Sequence, residues 1–139
     1  MEISDVRKRV HETIERAKRR AADRRARADA AGHDFGRFLE QTAIPLFRQI
    51  ANVLRADGRL FSVFTPSGSV RLMSDRRSED YVELTLDASG DEPNVVLHSS
   101  RGWGNRVAES ERAIGDPANL TEDALLTAVL QELERLVER

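Results

Sequence analysis

From Ser4 to Ala31 the chain contains neither proline nor glycine, and alanine, arginine and glutamate abound. These residues favour the helix intrinsically. The pattern predicts one uninterrupted helix, with Ser4 as its N-cap and Gly32 as its C-terminal stop. About 27 residues at ~1.5 Å rise make a rod of roughly 40 Å. That is longer than a typical small domain is wide, so part of the rod is expected to project or to pair.

Stepping about 100° per residue aligns Ile3, Val6, Val10, Ile14, Ala17, Ala21 and Ala28 in one narrow stripe. Such a stripe is a seam for one other helix rather than a broad core-facing surface. Val6, Val10, Ile14, Ala17 and Ala21 are therefore candidate interface residues, facing this chain's next helix, a second copy or another protein. A second row, Arg9, Arg16, Arg20 and Arg27, lies about a quarter turn away and could follow a phosphate backbone. Against that, Asp5, Glu12, Glu15 and Asp23 each precede an arginine by four residues (Arg9, Arg16, Arg19 and Arg27). This order suits helix ion pairs worth ~0.2–0.5 kcal/mol each.

Charge divides the chain in the same place. Residues 1–30 hold ten Lys/Arg against six Asp/Glu, a net of +4, whereas 31–139 hold twelve against eighteen, a net of −6. The reading is a basic, Arg-rich amphipathic arm over 1–32 joined to a single α+β domain over 33–139. There is no cysteine, and no apolar run approaches the roughly 20 residues of a membrane helix. The opening residues lack the apolar stretch of a secretory signal. A cytoplasmic protein with no membrane contact is the expectation.

In the body, Gly32-His33-Asp34 is expected to break the first helix, with Asp34 capping the next. Phe35, Phe38, Leu39, Leu46, Phe47, Ile50, Val53 and Leu54 recur at helical spacing; Pro45 should kink or split that helix and Asp57-Gly58 should end it. The period then changes to two. Strands are expected at 59–65, 70–73, 81–86 and 94–99, separated by short turns, with Val82, Leu84 and Leu86 facing inward. Thr121 should cap a last helix, with Leu120 and Leu125 as a hydrophobic staple and a leucine-rich face. The predicted fold is α+β, a four-stranded antiparallel meander with the second and last helices on one face.

No phosphate-binding loop, HExxH, Gly-x-Ser-x-Gly or calcium loop is present, and His11, His33 and His98 have no partner at metal-ligand spacing. No cofactor and no metal are expected. One segment has unexplained content: His98, Arg101, Trp103 and Arg106 sit around Gly102 and Gly104, with Glu109 and Glu111 just beyond. Tryptophan and arginine favour binding hot spots and can stack a base, although a lone tryptophan after a strand also serves as a core plug. The leading reading is a non-enzymatic interaction or adaptor protein, a homodimer or accessory subunit that works through its helices. The alternatives are a nucleic-acid-binding protein using the arginine row, and a small-molecule binder or enzyme centred on 98–106.

Overall fold

A computed structural model describes residues 1–138. Helix α1 runs over Ile3–Phe38, continues through a π-helical turn at Leu39–Ala43, and leads into α2 over Ile44–Ala56. Five strands follow: β1 Phe61–Phe64, β2 Val70–Ser74, β3 Tyr81–Asp87, β4 Asn94–Trp103 and β5 Arg106–Gly115. Helix α3 covers Glu122–Val137. The strands form one antiparallel meander in chain order, so the fold is α+β with five strands rather than four.

The first helix does not stop at Gly32. Glycine in a helix interior costs ~1 kcal/mol relative to alanine. Here Ala31, Phe35, Phe38 and Leu39 are buried immediately around it, and each buried phenylalanine or leucine contributes ~1.5–3 kcal/mol. Burial outweighs the local break. Asp34 accordingly lies inside the helix, its carboxylate accepting from Arg37 Nη2 at 3.0 Å, instead of capping a new one. At the other end the helix begins at Ile3 with Glu2 as N-cap and no side-chain cap, so Ser4 does not play that part.

Pro45 leaves its mark as expected, one step upstream. A helical proline lacks the N–H donor and crowds the carbonyl four residues before it. The wider π turn at Leu39–Ala43 takes up that conflict, and Pro45 falls in the first turn of α2, where a missing donor costs nothing.

On the inner sheet face, Val70, Leu84 and Leu97 form one cross-strand row, and Leu72, Val82 and Ser99 the next. Val82 and Leu84 are fully buried and Leu86 packs partly buried against the core, in agreement with the predicted alternation. Phe47 of α2 and Leu125 and Val129 of α3 close this core from above. Thr121 Oγ1 accepts from Ala124 N at 3.1 Å, and Leu120 packs against the cluster containing Leu125, as the staple requires. In the turn after β3, Asp87 accepts from Ser89 Oγ at 2.6 Å and from Ser89 N at 3.0 Å. These bonds hold its carboxyl below the ordinary range for aspartate.

Strand β5 gave no apolar alternation because it has little to bury. Its inner positions are Ala108, Ser110 and Arg112, paired with Arg101, Ser99 and Leu97. A register shift between Val95 and Val96 leaves Ile114 as the extra residue, and it packs against the core.

This corner is polar and nevertheless covered. Glu132 of α3 is only 6% exposed. Its Oε2 accepts from Ser99 Oγ at 2.9 Å, Ser99 Oγ lies 2.7 Å from Ser110 Oγ, and Arg112 Nη2 stands 3.4 Å from Glu132 Oε1. Arg112 also donates to the Ala128 carbonyl and to Gln131 Oε1. Replacing Glu132 by alanine strands these donors. The expected loss in urea unfolding is ~1–3 kcal/mol, below that of a fully buried pair because Arg112 is partly solvated. The exposed neighbour Glu134→Ala should change stability by less than ~0.5 kcal/mol.

Candidate functional site

The feature that sets this fold apart is the unaccompanied stretch of α1. Every residue from Met1 to Asp23 is exposed except Glu15 and Ala21, which are partly shielded. The body first holds the helix at Arg24 and Arg27. Arg24 Nη1 lies 3.8 Å from Asp91 Oδ1, and Arg27 Nε donates to the Asp91 carbonyl at 3.1 Å. Residues 3–23 therefore extend beyond the body by about 31 Å at ~1.5 Å per residue. The stripe predicted from periodicity lies open along this extension. Ile3, Val6, Val10 and Ile14 are exposed large apolar side chains, Val10 at 52%. Ala17 and Ala21 continue the stripe toward the body, and neither is buried.

The arginine row is also open. Among the described residues, none of the four expected carboxylate–arginine pairs forms; the one ion pair on this stretch joins Lys18 to Glu15 at 3.6 Å. Arg16 donates instead to Thr13 Oγ1 at 3.2 Å. Arg9 and Arg20 are exposed, whereas Arg27 is occupied by the Asp91 carbonyl. The row thus divides into three outward-facing cations and one tether.

The 98–106 segment is not a loop. It is the end of β4, a two-residue turn at Gly104-Asn105 and the start of β5. Gly104 has φ 59 and Asn105 a negative φ, the sign pattern of a type II′ hairpin turn. Gly102 is needed for another reason, since a side chain there would run into Glu79 Cγ. Its N–H donates to the buried Asp80 carboxylate at 2.8 Å.

Strand alternation separates the four candidate residues. His98 is on the outer sheet face, whereas Arg101 and Trp103 are on the helix side, with Arg106 opposite Trp103 across the turn. Trp103 is 64% exposed with the Arg101 guanidinium 4.7 Å from its ring centre, and Arg101 Nη1 donates to the Arg135 carbonyl at 3.2 Å. Trp103 is thus no core plug. A cleft of about 370 Å³ between β4, β5 and the end of α3 takes in Arg101, Ser110, Glu132 and Arg135, and neither His98 nor Trp103 lines it.

His98 has its own surroundings. Its Nδ1 is 3.2 Å from Glu111 and its Nε2 3.8 Å from Glu109, and its ring stacks on Tyr81 at 5.7 Å between centres. Arg71 lies over the other side of this array, 4.0 Å from the Tyr81 ring centre and bonded through Nε and Nη2 to Glu83. The array is self-paired, and among the described residues no cluster of three or more candidate ligands has metal-binding geometry.

A further surface lies where α2 and α3 meet, on apolar faces that the sequence marks first as core and otherwise as a partner groove or dimer interface. Leu46, Ile50 and Val53 of α2 and Leu126, Leu130 and Leu133 of α3 line an open apolar groove on the side away from the sheet. Periodicity marked all six as core-type positions, yet Val53 and Leu130 are 69% and 51% exposed. Comparison with protein-family models, curated proteins and solved structures finds no match.

An exposed Trp103 leads to a direct expectation. Trp103→Ala should change the unfolding free energy by less than ~1 kcal/mol, the range of a surface contact with Arg101. A loss of the ~3–5 kcal/mol typical of a buried tryptophan in a urea melt would mean that it serves the core after all.

Proposed function

We propose that this chain is a non-enzymatic interaction protein, acting in a cytoplasmic setting as a homo-oligomer or as an accessory subunit, through its helices. The supporting observation is the open stripe of Ile3, Val6, Val10 and Ile14 on a helix that extends clear of its own domain. Apolar side chains in such a row are a seam for another helix. The tether at Asp91 supports the same reading, because it gives the extension a defined root on the body.

The test is solution mass by light scattering at two protein concentrations. The wild-type chain should run above the 15.6 kDa of one copy, and Val10→Asp with Ile14→Asp should return it to that mass. Both positions are exposed in the single chain, so the helix should remain folded by circular dichroism. An unchanged mass in the variant would remove the stripe from the interface.

A second reading, nucleic-acid binding, is favoured by one observation: Arg9, Arg16 and Arg20 have no carboxylate partner among the described residues. Three phosphate contacts would make log affinity fall with log salt at a slope of about −0.9 per contact. Replacing these three by glutamine, with Arg27 left in its tether, should abolish binding to a duplex in an anisotropy titration. Equal binding by the variant would exclude the row. The acidic body disfavours this reading, because its charge repels phosphate within the Debye length. The small-molecule reading of 98–106 has the least support, since His98 lies on the face opposite Arg101 and Trp103.

A further inference from the structure

The two open apolar surfaces of this chain, the stripe on α1 and the groove between α2 and α3, are bordered by opposite charges. On a wheel of about 100° per residue, the half of α1 centred on the stripe carries Arg7, Lys18 and Arg20 in the N-terminal half of the helix and Arg24 and Arg25 nearer the body, where Arg24 is tethered to Asp91; Glu2, just before the helix, is the one acid on that side. Asp5, Glu12, Glu15, Asp23 and Asp29 all fall on the other half. The groove has the reverse pattern. The half of α3 centred on Leu126, Leu130 and Leu133 carries Glu122, Asp123 and Glu134 and no base, with Arg135 behind. The half of α2 that faces the groove carries Gln49 and ends at Asp57, while Arg48 and Arg55 point away.

We infer that the groove between α2 and α3 is the seat of the N-terminal half of α1 from a second copy of this chain. Charge decides between this and direct pairing of two α1 stripes. Two stripes placed together would set Arg7, Lys18 and Arg20 of one copy beside the same bases of the other, with only Glu2 to offset them, whereas stripe in groove brings these bases toward Glu122, Asp123 and Glu134. A chain cannot fill its own groove, because its helical backbone continues from α1 through the π turn into α2 and carries the stripe away. The lengths agree. Ile3 to Ile14 spans about 17 Å and Leu46 to Leu54 about 12 Å at ~1.5 Å per residue. Two copies that each insert α1 into the other's groove form a closed, two-fold assembly with no open end.

This inference rests on the proposed self-association, and the experiment separates the two. Val53 and Leu130 are exposed in the single chain, so Val53→Asp and Leu130→Asp should each fold normally by circular dichroism. An unpaired carboxylate in the apolar seat should weaken the dimer by ~100-fold or more, and each variant should run at the mass of one chain. Mixing Val10→Asp with Leu130→Asp should restore a dimer, because one intact stripe then meets one intact groove. Raising salt from low to high should weaken the wild-type dimer by screening the opposed charges. If the wild type dimerises, Val10→Asp abolishes it, and both groove variants remain dimers that tighten with salt, the groove is overturned and direct pairing of α1 stands. If the wild type is a single chain at every concentration, self-association itself fails and the groove assignment with it.

Discussion

Burial of Phe35, Phe38 and Leu39 against the body holds the C-terminal end of a helix whose first 23 residues make, among the described residues, no hydrogen bond or ion pair with that body. The rest of the molecule's geometry follows from this anchorage. Starting a helix is costly and extending it is nearly neutral. A nucleus packed onto the sheet therefore lets the Ala- and Arg-rich stretch propagate outward. The two glycines at 32 and 36 have open space around them, and burial of the neighbouring Ala31, Phe35 and Phe38 lets the helix tolerate them. The free end has no side-chain cap, so stability along α1 should decrease from the body outward.

The same anchorage gives the sheet its two characters. The continuous α2 covers the β1–β2 side, and α3 covers β3 to β5. Toward the β4–β5 hairpin the apolar rows end in Ser99, Ser110 and Arg112; Glu132 accepts from Ser99 and pairs with the partly solvated Arg112, and Ser110 is bonded to Ser99. Among the described residues, no helix lies over the opposite face. There Arg71, Tyr81, Glu83, His98 and Glu111 satisfy one another across three strand boundaries, which keeps a long antiparallel surface from being an apolar patch.

Much of this was legible from residue order, and the misses have physical causes. Alternation at Val82, Leu84 and Leu86 and the cap at Thr121 report local rules acting alone, and both appear in the structure. Gly32-His33-Asp34 reads as a break by the same rules, and burial of the aromatics after it overrides them. Strand β5 has no apolar period because its inner positions serve Glu132, yet Gly104-Asn105 between two arginine-containing runs was a hairpin signal. The α1 stripe was readable because it repeats along one element. The groove was not, because it arises only where α2 and α3 meet, and periodicity cannot distinguish a core leucine from one such as Leu130 at the rim.

Intrinsic preference bears on why the stripe is built as it is. A helix that served only as a solvated rod would do best with alanine, glutamate or lysine, since valine and isoleucine lose χ1 freedom against the preceding turn. Along α1 the exposed β-branched apolar residues are Ile3, Val6, Val10 and Ile14, all on one stripe and all in the half farthest from the body. In the single chain each is less favourable than alanine by up to ~0.7 kcal/mol and reaches no part of the core in return. Stiff side chains lose little further entropy on docking. The residues that weaken the free helix are therefore the ones that would stabilise the docked helix proposed above, and their confinement to the far end would set that docking away from the chain's own sheet.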